Sequence, residues 1–168
     1  MIERPPTDVQ TVFDNAVKNL EASIRQSNAT ITHDVLPSVN ANPVHISQVL
    51  QNLLGNAIKY RRPDVPLHVH IGAQRQVDAW LFSVRDNGSG FEPEYADRVF
   101  GIFKRLHGRD VPGTGVGLAI CKAMIERHGG HIWAEAKPGV GATFYFTIPD
   151  APPSSDLTPE KTYADIAQ

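Results

Sequence analysis

A carboxylate set among glycines is the first group in this chain that could do chemistry. Asp86 opens the run at 86–90, DNGSG, which follows a largely apolar segment predicted to be a strand. A carboxylate at a strand end only accepts hydrogen bonds, so it can take the exocyclic amine of adenine, whereas guanine presents an oxygen at that position. The same run also suits an ordinary turn, because Asp, Asn and Gly are common turn residues.

The segment 44–60, predicted to be a helix, carries a second polar group. At about 100° per residue, Asn52, Asn56 and Lys59 fall within a sector of about 60°. An amide oxygen is a hard ligand suited to Mg²⁺, and a lysine one turn further on can meet a phosphate as a point charge. The alternative is an amphipathic helix whose polar face lies in water, although two asparagines in a helix interior are poor for helix propensity.

A glycine-rich stretch at 105–117 is the third group. Glycines next to a helix N-terminus expose backbone amides that can hold phosphate, and Arg105 can neutralise phosphate charge. Taken alone, the stretch could equally be a surface loop followed by a helix start softened by glycine. In this order and spacing, the three groups together predict a pocket for a magnesium nucleotide.

Composition limits the classes of protein to consider. With 168 residues, 41% of them hydrophobic and 20% charged, the chain is long enough for one globular domain with a sizeable core. A net charge of −2 gives no sign of a nucleic-acid partner. No apolar run reaches the roughly 18 residues that cross a bilayer, and no signal peptide is visible, so we predict a cytoplasmic location without membrane contact. The single cysteine, Cys121, is expected to be a buried small hydrophobe.

Hydrophobic periodicity and capping residues predict four helices. The clearest start is Asn42, an asparagine cap followed by proline in the first turn. Thr114 is a candidate cap for the last helix, and the paired glycines at 129–130 are expected to end it. The predicted spans are 8 to about 26, 42–60, 93–100 and 114–128.

Strand candidates complete the predicted fold. They lie at 31–36, 67–74, 79–86, 131–136 and 142–148, the last two as a closing hairpin. Helices and strands together predict an α+β two-layer sandwich, with one sheet covered on one face by helices. We expect residues 1–7 to be a linker, 8–149 to be the domain, and the proline- and serine-rich segment 150–168 to be a disordered tail.

The order and spacing of these motifs closely resemble the ATP-binding catalytic domain of sensor histidine kinases, in the superfamily shared with gyrase, Hsp90 and MutL. The family's N box resembles NLLGNAIKY, its G1 box DNGSGF, its F box FGIF, its G2 box GTGVGL, and its third glycine segment GVGAT. The resemblance covers about residues 8–149 and is greatest to kinases attached to PAS or phytochrome-type sensors. It implies the Bergerat fold, a mixed sheet of about five strands under about three helices.

The resemblance also implies a role for each matching residue. Asn56 would bind Mg²⁺, Asn52 would help to hold the phosphate and metal, and Lys59 would contact phosphate. Asp86 would accept a hydrogen bond from the adenine amine of ATP, and Arg105 would support the γ-phosphate during transfer, within a lid at 101–114. Asn52, Lys59 and Arg105 are the expected catalytic residues. The other expected nucleotide contacts are Tyr60, Gly88, Gly90, Phe91, Gly113, Thr114, Gly115, Val116, Gly117, Leu118 and Thr143.

Two departures from the family pattern stand out. None of the seven histidines is followed by the acidic, Arg- and Pro-bearing pattern of the family's H box. The resemblance therefore implies that the phosphate-accepting histidine lies on a helical dimerisation hairpin elsewhere in a longer kinase, with the receiver domain of a response regulator as an indirect partner. In the F box, Gly101 and Ile102 stand where acidic or proline residues are frequent.

Two other functions fit parts of the pattern. An ATP-hydrolysing switch of the gyrase or chaperone type, or an anti-sigma serine kinase, shares the fold but carries a glutamate base four residues before the metal asparagine. Here that position is Asn52, which has no basic oxygen able to deprotonate water or serine. The second alternative is a nucleotide-binding module without transfer activity.

Overall fold

The computed structural model describes residues 2–101 and 117–151. These residues form four α-helices and seven β-strands. The helices are α1 (Val9–Asn19), α2 (Glu21–Ser27), α3 (Pro43–Lys59) and α4 (Gly117–Arg127). The strands are β1 (Pro6–Asp8), β2 (Thr30–His33), β3 (Ser38–Asn40), β4 (His68–Arg75), β5 (Ala79–Asp86), β6 (Ile132–Lys137) and β7 (Gly141–Pro149).

Five of the strands form one mixed sheet in the order β2-β4-β5-β7-β6. The β2–β4 pair is parallel and the other pairs are antiparallel. The small β1–β3 pair forms a separate antiparallel ladder. The predicted α+β sandwich with a five-stranded mixed sheet is confirmed.

One face of the sheet is buried and the other is open. On β5 and β7, alternate residues such as Phe82, Phe144 and Phe146 are buried in the core, and the Phe82 and Phe146 rings stack at 5.2 Å between centroids. Burying each such ring stabilises the fold by roughly 1.5–3 kcal/mol. On the open face Trp133 and Tyr145 stack on each other at 5.3 Å, with Trp133 partly exposed. The helices therefore cover the Phe82 face alone.

The predicted first helix is two helices in the structure. The chain turns at Leu20 (φ −103°, ψ 11°), between α1 and α2. The Leu20 N–H is shared between the carbonyls of Ala16 and Val17, both at 3.1 Å, which tightens the last turn of α1 without leaving the donor unsatisfied. This break keeps Ile24 of α2 against the core, so tertiary packing overrides a continuous helical pattern.

The segment predicted as a helix over 93–100 forms two single 3₁₀ turns, Pro93–Tyr95 and Arg98–Phe100. The second turn buries Phe100 against Phe144, with 6.0 Å between the ring centroids. Strands β1 and β3 were not predicted. They are held by Thr7, which is buried and whose Oγ1 donates to the Ala41 carbonyl at 2.8 Å. Within the part of the chain that the structure describes, no helix combines the length and hydropathy that a membrane span needs.

Candidate nucleotide-binding site

Helix α3 carries the amide side chains of the candidate site. Its predicted start is confirmed, because the Asn42 Oδ1 accepts from the Val44 N–H at 3.0 Å and from the His45 N–H at 3.1 Å. The inner face of α3 is fully buried and includes Ile46, Leu50, Leu53 and Ala57. The outer face leaves Asn52 and Asn56 half-buried and Lys59 exposed. These three side chains therefore share the sector that the sequence predicted.

The first described turn of α4 lies beside Asn52. The Asn52 Nδ2 donates to the Gly117 carbonyl at 3.3 Å, and a Cβ added at Gly117 would be 3.7 Å from the Asn52 Cγ. Helices α3 and α4 pack along this contact. One turn further along α4, Cys121 is fully buried, as predicted, and burial raises the pKa of its thiol to about 12. A thiol with such a pKa has no nucleophilic role near neutral pH.

Asp86 ends β5 on the covered face of the sheet, in line with Phe82 and Val84. Its Oδ1 accepts from the Gly88 N–H at 2.8 Å and from the Ala142 N–H at 3.3 Å. Burial raises the pKa of this carboxyl, while the two backbone hydrogen bonds act in the opposite direction. Among the described residues no hydrogen bond is recorded to the second oxygen, Oδ2. One oxygen is thus fixed by the fold, and the other can accept from a ligand.

Two glycines allow the chain to pass close to its neighbours after Asp86. A Cβ at Gly88 would lie 2.8 Å from the Tyr60 carbonyl oxygen, closer than real Cβ atoms approach, and 3.0 Å from the Asp86 Oδ1, which is a tight contact. Gly90 has φ +64°, a left-handed conformation, and a Cβ there would collide with the Lys137 carbonyl. The predicted glycine positions of this loop are therefore required by its packing.

The end of α3 is joined directly to this loop. The Tyr60 carbonyl accepts from the Ser89 N–H at 2.9 Å and from the Ser89 Oγ at 2.8 Å. Lys59 precedes this junction and Asn56 lies one turn before it. The predicted metal-binding and purine-binding motifs are therefore brought together in space.

The structure also shows the surroundings of three other residues predicted to contact the nucleotide. The Phe91 ring is buried against Phe144 at 6.4 Å between centroids, and Leu118 packs against the same core. Thr143 pairs with Arg85 in the β5–β7 ladder, one step beyond the pair of Asp86 and Ala142. Since side chains alternate along a strand, Thr143 lies on the open face, away from the Asp86 carboxylate.

The residue opposite Asp86 is Ala142, which the sequence reasoning did not include in the site. The signal that could have found it is the alternation of β7 counted back from the buried Phe146 and Phe144. The lid residue Arg105 lies outside the described residues. So do the expected phosphate contacts Gly113, Thr114, Gly115 and Val116.

The side chains of the candidate site can be compared with the ligands that Mg²⁺ prefers. In residues 2–101 and 117–151 no group of three or more His, Cys, Asp or Glu side chains could hold a metal ion. The neutral oxygens of Asn52 and Asn56 suit a hard cation that takes one or two protein ligands and completes its shell with phosphate and water. His68 and His70 alternate on β4 and so share one face of that strand, and both ring nitrogens of His70 already have hydrogen-bond partners, Thr32 at 2.7 Å and Asp34 at 2.9 Å.

Comparison with known proteins gives the same grouping of motifs a family context. Residues 41–152 match the family described as "Histidine kinase-, DNA gyrase B-, and HSP90-like ATPase". Cyanobacterial phytochrome A of Nostoc sp. is 55% identical over 144 residues, which are 85% of this chain and 19% of that protein. The phytochrome-like protein Cph1 of Synechocystis sp. is 50% identical over the same coverage. The chain thus spans about a fifth of the length of these curated relatives.

Solved structures with a similar fold are histidine kinases. The catalytic domain of histidine kinase ThkA has a TM-score of 0.76 at 26% identity, covering 90% of this chain and 100% of that one. Full-length ShkA in complex with AMPPNP has a TM-score of 0.76 at 26% identity, covering 94% of this chain and 33% of that one. ThkA in complex with the response regulator TrrA has a TM-score of 0.72 at 25% identity, covering 89% of this chain and 42% of that one.

Proposed function

Because this chain belongs to the family of histidine kinase-, DNA gyrase B- and HSP90-like ATPases, we propose that it is the ATP-binding catalytic domain of a sensor histidine kinase. In this proposal it binds ATP with magnesium and transfers the γ-phosphate to a histidine on a separate helical hairpin of the same longer protein. The observation that carries the proposal is the juxtaposition of Asp86 with the amide face of α3, through the Ser89–Tyr60 hydrogen bonds.

The adenine would lie against the loop after β5. Its exocyclic amine donates to the Asp86 Oδ2, because Oδ1 already accepts from two backbone amides. Ala142 is the nearest residue on the neighbouring strand, and its small side chain leaves room for a flat base. An acceptor held in this way rejects a 6-oxopurine, whose oxygen would face a carboxylate.

The triphosphate would extend from this loop along α3 toward α4. Asn52 and Asn56 would bind the phosphates and the magnesium ion, and Lys59 would neutralise phosphate charge. Magnesium, when bound between these side chains and the nucleotide, would neutralise phosphate charge. The chain's own residues therefore supply positioning and charge, which is what a phosphoryl transfer with little covalent chemistry requires of the protein. Arg105, Gly113, Thr114, Gly115 and Val116 stay part of the proposal as predictions from the sequence.

Transfer to another protein is favoured over hydrolysis by Asn52. A water or serine nucleophile needs a base to accept its proton. The Asn52 amide is not basic, and its Nδ2 is directed to the Gly117 carbonyl at 3.3 Å. A histidine nucleophile carries its own lone pair, so it needs no such base. ThkA in complex with its response regulator TrrA supports a receiver domain as the downstream partner, and dependence on cellular ATP supports a cytoplasmic location.

The proposal is tested by separating donor and acceptor. This chain, incubated with γ-labelled ATP and magnesium, is expected to carry no label itself and to label a histidine-bearing helical hairpin supplied separately. The label should be lost in acid, as a phosphohistidine is, and chelating magnesium with EDTA should abolish transfer. Acid-stable label on this chain would instead indicate serine or threonine chemistry and contradict the proposal.

A further inference from the structure

We propose that Asn87 is a positioning residue that holds the Asp86 carboxylate in place and thereby sets the preference for adenine over 6-oxopurines. The inference rests on the proposed nucleotide site and adds to it a residue that none of the roles above involves.

Asn87 lies one step beyond the end of the β4–β5 ladder. The last pair in that ladder is Val69 opposite Asp86, so the next step would bring His68 opposite Asn87. At this step the Asn87 side chain, in place of its backbone, makes the hydrogen bonds to the neighbouring segment. Its Oδ1 accepts from the His68 N–H at 2.8 Å, and its Nδ2 donates to the Pro66 carbonyl at 2.9 Å.

The neighbouring segment requires a side chain that both donates and accepts. Pro66 has no N–H, so its backbone offers only an acceptor, whereas the His68 N–H offers only a donor. A primary amide matches this pair with its one oxygen and its NH₂ group. An aspartate would match only His68, and an alanine would match neither.

Further hydrogen bonds fix the backbone of the same loop. The Arg62 Nε donates to the Asn87 carbonyl at 3.0 Å, and the Ser89 N–H and Oγ donate to the Tyr60 carbonyl. Both tethers come from the segment that leaves α3. Asn87 therefore connects the purine-binding loop to β4 and to the end of the amide-bearing helix.

The orientation of the Asp86 carboxylate depends on how Asn87 is held, because Asn87 lies in the sequence between Asp86 and Gly88, whose N–H orients the carboxylate. The Gly88 N–H donates to the Asp86 Oδ1 at 2.8 Å. Rotating either peptide of Asn87 would turn that N–H away and change the direction in which Oδ2 faces the base. Since hydrogen bonds weaken steeply with angle, a small rotation would cost the adenine amine its acceptor without closing the pocket.

Comparing ATP with inosine triphosphate tests the inference, because inosine carries an oxygen where adenine carries the amine. In isothermal titration calorimetry with magnesium, Asn87→Ala should raise the Kd for ATP about tenfold and change that for inosine triphosphate by less than about twofold. The preference for ATP should thus fall several-fold. Equal weakening of both nucleotides, or an unchanged preference, would overturn the proposal, because a purely structural role would not change the ratio.

Two further variants complete the design. Arg62→Ala removes only the tether on the Asn87 carbonyl, so it tests the same prediction if Asn87→Ala does not fold; its preference should fall about threefold, and an unchanged ratio would count against the proposal. Asn19→Ala, at an exposed asparagine at the end of α1, is the matched control and should bind both nucleotides as the original chain does. If the original chain itself shows no preference for ATP, the proposed adenine site fails, which is a different result.

Discussion

At the scale of single residues, the two carboxylate oxygens of Asp86 differ in their hydrogen-bond partners. Oδ1 is held by the Gly88 and Ala142 amides, while the carboxyl is buried enough that its pKa rises. Because its pKa is raised, this carboxyl is protonated at a higher pH than an exposed aspartate. Protonation would weaken its ability to accept a hydrogen bond. The position of the carboxylate followed from sequence, because an acidic residue directly after a strand is readily recognised.

Asp86→Asn should weaken ATP binding by about ten- to a hundredfold, the range expected for losing a hydrogen bond to a charged group. If the amide oxygen takes the place of Oδ1, the NH₂ group faces the adenine amine, and two donors then meet. The measurement is titration calorimetry with ATP and magnesium, with Asn19→Ala again as the matched control. An unchanged Kd would contradict the assignment of Asp86 to the base.

At the scale of elements, α3 is fixed at both ends as well as along its polar face. At its start, the Asn42 N–H donates to the Nε2 of His128, at 3.0 Å, so that the other ring nitrogen of this buried histidine donates to the Met124 carbonyl at 2.8 Å. At its end, the Tyr60 carbonyl accepts from Ser89. The histidine therefore joins the cap of α3 to the last turn of α4 in one neutral tautomer.

Protonation of His128 should destabilise the fold. Burial lowers the pKa of this histidine, with smaller contributions in the same direction from Arg4 and His45, which face it, while its hydrogen bond to the Met124 carbonyl acts in the opposite direction. Since the unfolded chain binds the proton first, the free energy of unfolding should fall as the pH drops below about 6.5, by at most about 1.4 kcal/mol per pH unit. Urea unfolding between pH 7.5 and 5.5 measures this slope. His128→Gln should flatten it, whereas His131→Gln, at an exposed histidine, should leave it unchanged; equal slopes in all three proteins would refute the role.

The helices and strands with strong local signals were predictable, and those held by distant contacts were not. Asn42 and Pro43 predict the start of α3, and the paired glycines after His128 predict the end of α4. Strands β1 and β3 have no such signal, because their mutual pairing, the buried Thr7 and the contact of Arg4 with Asn40 join residues that are far apart in the sequence. The break at Leu20 is likewise a result of packing against the core.

At the scale of the whole molecule, Arg4 ties together three distant parts of the chain. Its guanidinium donates to the carbonyls of Asn40, at 2.9 Å, His128, at 3.0 Å, and Pro149. Partial burial lowers the pKa of this arginine, which still carries its charge at any physiological pH. The segment that leads into β1 is therefore joined to the ends of α4 and β7.

Arg4→Ala should lower the free energy of unfolding by about 2 kcal/mol, because three carbonyls lose a charged donor but remain partly accessible to water. Thermal and urea unfolding measure the change. Arg25→Ala is the matched control: Arg25 makes an exposed pair with Glu21 on α2, at 3.0 Å, and its loss should cost no more than about 0.5 kcal/mol. Similar losses in the two variants would show that the Arg4 contacts contribute little.

Arg4 also marks the limit of prediction from sequence at this scale. The strand and helix patterns predicted the sheet and its cover of helices on one face, and the motif order predicted that the motifs meet around Asp86. Nothing local to Arg4 indicates its three acceptors, since they lie in segments far away along the chain. The same holds for Thr143 and Ala142, which differ by one residue in sequence but occupy opposite faces of the sheet.

The position of the three Arg4 contacts along the sheet has a mechanical consequence. Pro149 and Ala142 stand at opposite ends of β7, and Ala142 is paired with Asp86. Seven strand residues at about 3.3 Å each put the contact of Arg4 with Pro149 about 23 Å from the Asp86 carboxylate. The segment that leads into β1 and the end of β7 therefore meet at one end of the sheet, and Asp86 lies near the other end of β7. A rotation of the sheet by about 10° about the Arg4 contacts would move Asp86 by about 4 Å. This displacement is comparable to the distance between a bound phosphate and an incoming nucleophile.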